Sequence, residues 1–426
     1  MRYWLLLLLL GFVYSCQAAV LTLDQALATA DAHHPDVAVI ESDVASAKAD
    51  VMAAEAGRDL SVTVDGALRQ GRPSAGNNNE WLADNVGHIV ARKNIYDFSR
   101  TQSAVDAAQS ELDARELELL NSRDRQRLAI MSRYFDVLNA DHQYAADNEL
   151  TAVAYVSFDN ARDRMKLGQL SRFDVATLEA RYQDLREKRN ASLARQRSTR
   201  SALANAMNQP RMLASDLAEP ELGENDVAVP DYEDLLPILF KNNTSWLAQQ
   251  AELTASQRRL ASFRHENSPR LDAEVEAGDY SRVATTRNTV SAGLVLTWPI
   301  YQGRRVDARI AKEQAQFQKL QAISAGLEMR LSQTLLDTLL DIDQLRNSAR
   351  PAAKTQIDYR DVALDRSRAE YELELKTNLG DSMAETMQAQ QRSQAVEYQL
   401  ALAMAKLSAL VGKPVNELTK LVANNK

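Results

Sequence analysis

At 426 residues the chain has room for two or three ordinary domains, and its 45% of hydrophobic residues can bury a large core. Aromatics make up only 6%, with 14 Gly and 10 Pro, and Ala, Leu, Gln, Glu and Arg fill most of the rest, as in long helices. A formal net charge of −8 argues against a nucleic-acid partner, because stretches such as "RYQDLREKRN" interleave acids as a solvated helix face does.

Residues 1–18 read as a signal peptide for export. Arg2 supplies the positive start, Leu5 to Val13 the apolar run, and "SCQAA" a small-residue cleavage zone. The run is too short to span a bilayer comfortably, and no other stretch approaches the needed length. Such a chain is a periplasmic protein, a secreted protein or an outer-membrane β-barrel. The single cysteine, Cys16, forbids an intrachain disulfide. Two fates stay open for it: removal by cleavage after Ala18, or lipidation as the first mature residue, since "VYSC" resembles a lipobox with an atypical Tyr14.

Beyond the signal, "DQALATADAHHPDVAVIESDVASAKA" from Asp24 repeats the pattern of "EDLLPILFKNNTSWLAQQAELTASQR" from Glu233. Leu27 falls on Leu236, His34 on Asn243 and Lys48 on Gln257, an offset of 236 − 27 = 209. Two further anchors agree: Tyr301 on Tyr96 (205) and Pro414 on Pro210 (204). The chain therefore reads as two homologous halves, residues 22–215 and 231–415. A Pro-, Gly- and acid-rich linker, 216–230, joins them, and a tail follows at 416–426.

Each half opens with an expected helix of about thirty residues, in the first half from Leu23 to Gly57. Two β-like segments follow. In "LSVTVDGALRQ", Leu60, Val62, Val64, Gly66 and Leu68 take one face against Ser61, Thr63, Asp65, Ala67 and Arg69. In "LDAEVEAGD", Leu271, Ala273, Val275 and Ala277 oppose Asp272, Glu274, Glu276 and Gly278; in "VSAGLVLTW", Val290, Ala292, Leu294, Leu296 and Trp298 share a face. Such period-two alternation makes two-faced strands. "VGHIVARKN" alternates poorly and is the weakest of the four. Loops rich in Gly, Asn and Ser join each pair, which predicts two hairpins.

The strands hand over to helices at two matching junctions, "RKNIYDFSRT" and "LTWPIYQGRR". In the second, Pro299 ends the ladder and Gly303 leaves room for a bend. Asn94 and Phe98 stand at those places in the first, so the two bends need not be alike. Long helical stretches follow. Leu117, Leu120, Leu128, Met131, Phe135 and Leu138 recur at threes and fours, with Asp124 interrupting, as do Leu320, Ile323, Leu327, Leu331, Leu335, Leu339, Ile342 and Leu345. Each stretch turns back once, near "KLGQLSRFD" and near "LELKTNLGDS". Runs of some sixty residues would extend about 90–100 Å.

Four strands cannot close a membrane barrel, whose smallest forms have about eight, and open edges cannot face lipid. In a membrane, several chains must pool strands. Asp65, Arg69, Asp272, Glu274 and Glu276 would then line a wet lumen, and Tyr96, Trp298 and Tyr301 would sit at an interface girdle. The competing reading of the same alternation is a soluble sandwich edge packed on helices. No catalytic constellation is evident. Histidines 33, 34, 88, 142 and 265 show no metal-ligand spacing, and Asp341 and Asp343 diverge on a helix.

The duplicated halves, "LTLDQAL", the pair "LTWPIYQGRR" and "NIYDFSR", and "LGQLSRFDVATLEA" together resemble the TolC-like outer-membrane efflux family over nearly all of the mature chain. The resemblance implies a mainly α fold with a small β part. It implies a homotrimer with one twelve-stranded outer-membrane β-barrel, continued by a twelve-helix periplasmic α-barrel. The implied function is a passive exit duct, without cofactors, that works with a periplasmic adaptor and an inner-membrane transporter. The class alternative is an exported periplasmic coiled-coil scaffold.

The resemblance also implies a periplasmic gate at the helical turns. Asp174 stands at the position of an acidic residue of the closing network, and Tyr371 and Lys376 resemble its aromatic and basic partners. The alternative is an ordinary interhelical surface pair. Where many members carry a first lumen acid this chain has Gly380, with Asp381 beside it and Glu385 four residues on, which would share a helix face. The family's adaptor contacts fall at the first turn, here Gly168, Leu170 and Ser171. Cargo has no signature in the residues: neither Met nor His is clustered as a metal line would need.

Overall fold

The computed structural model describes residues 20–31, 34–72, 80–214, 216–281, 288–373, 379–418 and 420. The expected signal peptide with Cys16, His33 and Lys376 lie outside them. In chain order the first half contains α1 (Leu23–Ala28), α2 (Pro35–Glu55), β1 (Ser61–Ala67), a short pair β2 (Gln70–Gly71) and β3 (Leu82–Ala83), β4 (Val86–Tyr96), α3 (Arg100–Lys166) and α4 (Arg172–Ala206). The second contains α5 (Tyr232–Asn242), α6 (Thr244–Arg264), β5 (Arg270–Tyr280), β6 (Val290–Thr297), α7 (Arg305–Gln344), α8 (Arg350–Glu372) and α9 (Leu379–Val411). The fold is mainly α with a small β part, and its element order repeats.

The single opening helix expected in each half is instead two. Pro35 disfavours helical backbone in the residue before it. His34 is accordingly extended and caps α2, its Nδ1 accepting from the Asp36 N–H at 3.3 Å. In the second half Asn243 is also extended and accepts from the Trp246 N–H at 2.9 Å. His34 and Asn243 are the residues that align in the repeat, so both copies break at one place by side-chain capping.

The four long strands form one antiparallel sheet in the order β1-β4-β5-β6. Both expected hairpins are present, and β4 joins β5 from Val86↔Tyr280 to Tyr96↔Leu271. The register puts Val64, Ile89 and Ala277 in one row, and Val62, Ala91, Val275 and Ala292 in the next. Alternation fails in β4 for visible reasons. Val90 lies in the polar row of Thr63 and Glu276, Lys93 lies in the apolar row of Ala273 and Leu294, and a bulge interrupts the register between Asn94 and Tyr96.

At 67 residues α3 extends about 100 Å, but the returning helices are shorter than expected, 35 residues in α4 and 33 in α9. The opening helices cover the remaining length. Lys48–Glu116 (3.6 Å) and Glu41–Arg123 (3.1 Å) hold α2 along the first third of α3. Arg200–Asp141 (2.6 Å) and the Thr151 hydroxyl donating to the Leu185 carbonyl (3.0 Å) hold α4 along the rest. In the second half α6 lies against α7 and α9 against α8 in the same way.

A π turn at Leu345–Ala349 links α7 to α8. From Arg305 to Glu372 the second long helix has one residue more than α3, since (372 − 305) − (166 − 100) = 1. A wider turn absorbs one residue without breaking the helix, and Pro351 just beyond it has no N–H to donate. The turn ends the leucine stripe at Leu345 and rotates the faces of α8 by roughly 100° relative to those of α7.

Two clusters form the core at mid-height. Leu235, Leu239, Leu335, Leu400, Met404 and Leu407 make one. Ile130, Tyr134, Phe135, Leu138, Leu203 and Tyr398 make the other, with the Phe135 and Tyr398 rings stacked at 4.9 Å between α3 and α9. Each such fully buried large side chain stabilises by roughly 1.5–3 kcal/mol.

Candidate functional site: a two-faced sheet and the turns of the helical hairpins

Among the described residues nothing covers the apolar face of the sheet. Val62, Val64, Leu294 and Leu296 are 57–76% exposed. The opposite face is a lattice of charges. His88 lies between Glu276 (Nδ1–Oε1, 2.9 Å) and Asp65 (Nε2–Oδ2, 3.4 Å), and Tyr280 donates to Glu276 at 3.3 Å. Arg92 pairs with Glu274, and Arg270 with Asp272, both at 2.8 Å through Nε. The four acids expected on the polar face are all there, and each is paired with His88, Arg92 or Arg270. Both edges, β1 and β6, lack a strand partner among the described residues.

Tyr96 closes β4 beside Leu271 and Leu296, and Trp298 and Tyr301 follow β6, so all three aromatics lie at the helix-proximal end of the sheet. They are 55%, 61% and 85% exposed. The ladder stops at Thr297, just ahead of Pro299. The two junctions bend alike at the aligned position, although a Phe stands there in one and a Gly in the other. Phe98 has φ +54° and Gly303 φ +65°, the left-handed conformation that disfavours a side chain by roughly 1–2 kcal/mol. Phe98 holds it with its ring 4.9 Å from that of Tyr96. The copies differ one residue later, where Ser99 remains left-handed and Arg304 does not. The Asp97 carboxylate accepts from the Thr101 N–H at 3.0 Å and the Asn94 amide at 3.2 Å, satisfying the start of α3.

At the far end, α3 stops in a Schellman motif. Gly168, at φ +75°, donates to the Met165 carbonyl and Gln169 to that of Arg164, each at 2.9 Å. Leu170 follows, and Ser171 caps α4. Its hydroxyl accepts from the Asp174 N–H (3.2 Å) and donates to the Asp174 carboxylate (2.7 Å), which also accepts from the Ser171 N–H. Asp174 is thus the third residue of a capping box and meets neither Tyr371, exposed in the last turn of α8, nor any cation among the described residues.

Asp381 and Glu385 both find arginines. Arg181 of α4 reaches Asp381 of α9 at 3.0 Å, and Arg360 of α8 grips Glu385 while lying over the Tyr359 ring. Arg181–Asp381 bridges the two helical hairpins. A Cβ on Gly380 would fall 2.6 Å from Val153 Cγ2, so an acid there would force Val153 or α9 to shift. Sequence reading missed both arginines. Arg360 lies 25 residues before Glu385, across the second turn. Arg181, two hundred residues from its partner, had no local signal. Above this end, Arg350 binds Glu397 at 2.6 Å and Asp226 of the linker at 2.6 Å, and Asn225 donates to Glu397 at 2.9 Å. These bonds, Arg350 first, hold the Glu397 carboxyl below its ordinary range against burial.

Among the described residues no group of three His, Cys, Asp or Glu is placed to hold a metal, and no helix is long and apolar enough to cross a membrane. No family model and no curated protein matches the chain. Solved structures do. It is similar to a membrane protein from Pseudomonas aeruginosa (TM-score 0.76, 17% identity, 93% of this chain and 91% of that one). It is also similar to the Campylobacter jejuni CmeC outer membrane channel (0.75, 12%, 94% and 88%) and to the outer membrane protein VceC of Vibrio cholerae (0.73, 16%, 92% and 96%). At these identities the likeness is one of fold.

Proposed function

We propose that this chain, whose fold is that of TolC-like outer-membrane channels, is a passive outer-membrane exit duct and carries out no chemistry of its own. The observation that carries the proposal is the sheet: one exposed apolar face, one charged face and two open edges, joined to helices about 100 Å long. Three copies pool their strands, β6 of one beside β1 of the next, into a twelve-stranded barrel. The apolar rows face lipid, the charged face lines the lumen, and Tyr96, Trp298 and Tyr301 mark the periplasm-side interface. The helical columns, α2 with α4, α3, α6 with α9, and α7 with α8, continue it as a twelve-column tunnel. A soluble scaffold would leave in water that apolar face, which nothing among the described residues covers.

The two repeats, 22–215 and 231–415, each supply one strand hairpin and one helical hairpin. The turn at Gly168, Leu170 and Ser171 is the contact for a periplasmic adaptor, which couples the duct to an inner-membrane transporter in an efflux or type I secretion system. The gate is the lower end of the hairpins, with Asp174, Tyr371, Lys376, Asp381 and Glu385 as its residues. The Arg181–Asp381 bridge favours a latch over a free carboxylate ring at position 381. On the lumen face Asp65, Asp272, Glu274 and Glu276 outnumber Arg69, Arg92 and Arg270 four to three, so the pore prefers cations. The protein expressed with its own signal should enter the outer-membrane fraction as a heat-modifiable trimer and conduct in planar bilayers, cations ahead of anions. Release with soluble periplasmic contents on osmotic shock would overturn the duct, and an anion-selective reversal potential would overturn the lumen assignment.

A further inference from the structure

We infer that Cys16 is not a lipid anchor of the mature protein, and that the export signal is removed downstream of it. The inference rests on the proposed membrane position of the sheet. Five residues after Cys16 the chain is already stitched into the helical body. The Leu21 N–H donates to the Asp216 carbonyl at 3.0 Å, the Ala218 N–H donates to the Leu21 carbonyl at 2.9 Å, and the Tyr134 hydroxyl reaches the same carbonyl at 2.8 Å. Thr22 then caps α1 with Gln25 in a capping box, and Ala26 is fully buried in the cluster around Ile130 and Tyr134.

Tyr134 fixes the level of this belt. It lies 134 − 100 = 34 residues down α3 from Arg100, the residue at which the helix leaves the sheet. At 1.5 Å per residue that is about 51 Å from the interface aromatics. From Cys16 to Leu21 the backbone spans at most about 18 Å, at roughly 3.6 Å for each of five residues. An acylated Cys16 would therefore stop about 30 Å short of the membrane, roughly the thickness of a bilayer's hydrocarbon core. Reaching it would require pulling Leu21, Thr22 and α1 out of the belt, exposing Ala26 and breaking the backbone bonds of Leu21 to Asp216 and Ala218. An uncleaved signal would keep the apolar run that ends at Val13 within eight residues of Leu21, at most about 29 Å of extended chain, which also falls short of the outer membrane.

The test is the intact mass of the natural protein, expressed with its own signal and purified from the outer-membrane fraction. The expected mass is that of an unmodified polypeptide beginning downstream of Cys16 and no later than Val20. A chain beginning at a diacylated Cys16, or an uncleaved precursor, overturns the inference. Cys16→Ser should leave processing and outer-membrane recovery within twofold of wild type, and a tenfold loss of recovery would overturn it independently. Unmodified protein found only in the soluble periplasmic fraction would instead overturn the membrane reading on which the inference rests.

Discussion

Removing the Arg181–Asp381 bridge should shift the proposed gate towards its open state by an amount the geometry bounds. The pair spans 3.0 Å, but its side chains are 56% and 38% exposed, which limits it to about 0.5 kcal/mol in each chain. Three copies that release together add up to about 1.5 kcal/mol, close to a tenfold change in the ratio of closed to open channels. Arg181→Ala and Asp381→Ala should each raise the open probability in planar bilayers at about 0.1 M salt by up to that factor. The double variant should do no more than either single one, because both remove the same contact. At about 1 M salt, where the Debye length is near 3 Å, the effect should largely vanish. Single variants with wild-type gating at low salt, or a double variant whose effect is the product of the two, would refute the latch.

Gly380→Asp should lower the thermal midpoint and loosen the α9–α3 contact, because the new Cβ meets Val153 at 2.6 Å; a midpoint equal to wild type in a thermal melt would show that Val153 yields freely. Gly303→Ala should destabilise by about 1 kcal/mol through backbone strain alone, since a Cβ there meets nothing within 4 Å at φ +65°; an unchanged chemical-denaturation midpoint would contradict this. Glu397 ionises below its ordinary value of 4.5 in the folded protein because of Arg350 and Asn225. Its contribution to stability is therefore present above about pH 4.5 and is lost as the pH falls through the lower folded value. Glu397→Gln should narrow the gap between unfolding midpoints at pH 6 and pH 3.5, and an unchanged gap would count against the Arg350 clasp.

Local patterns carried a large share of the fold. Alternation in "LSVTVDGALRQ" and "VSAGLVLTW" assigned faces that the register preserves, and the repeat aligned His34 with Asn243 although the break that both residues make was read as continuous helix. Pro35 was the missed signal: it divides a helix that hydrophobic spacing alone runs together. The candidate site was less legible. Asp174 has the spacing of a capping box from Ser171, and the structure uses it so, whereas the family resemblance cast it as a gate residue. Lys376 lies outside the described residues.

What the sequence by itself determined is whatever depends on neighbours within a turn or a strand pair: strand faces, the leucine stripe, the Gly168 turn, the repeated order of elements. These rest on backbone sterics and side-chain periodicity, which a short window contains in full. The tertiary structure alone decided which columns lie side by side, where the π turn absorbs its extra residue, and which arginine meets Asp381. It also set the height at which Tyr134 pins the N-terminal segment. Those depend on the docking of rigid helices about 100 Å long, where one added residue turns everything beyond it by roughly 100° and brings together side chains two hundred positions apart.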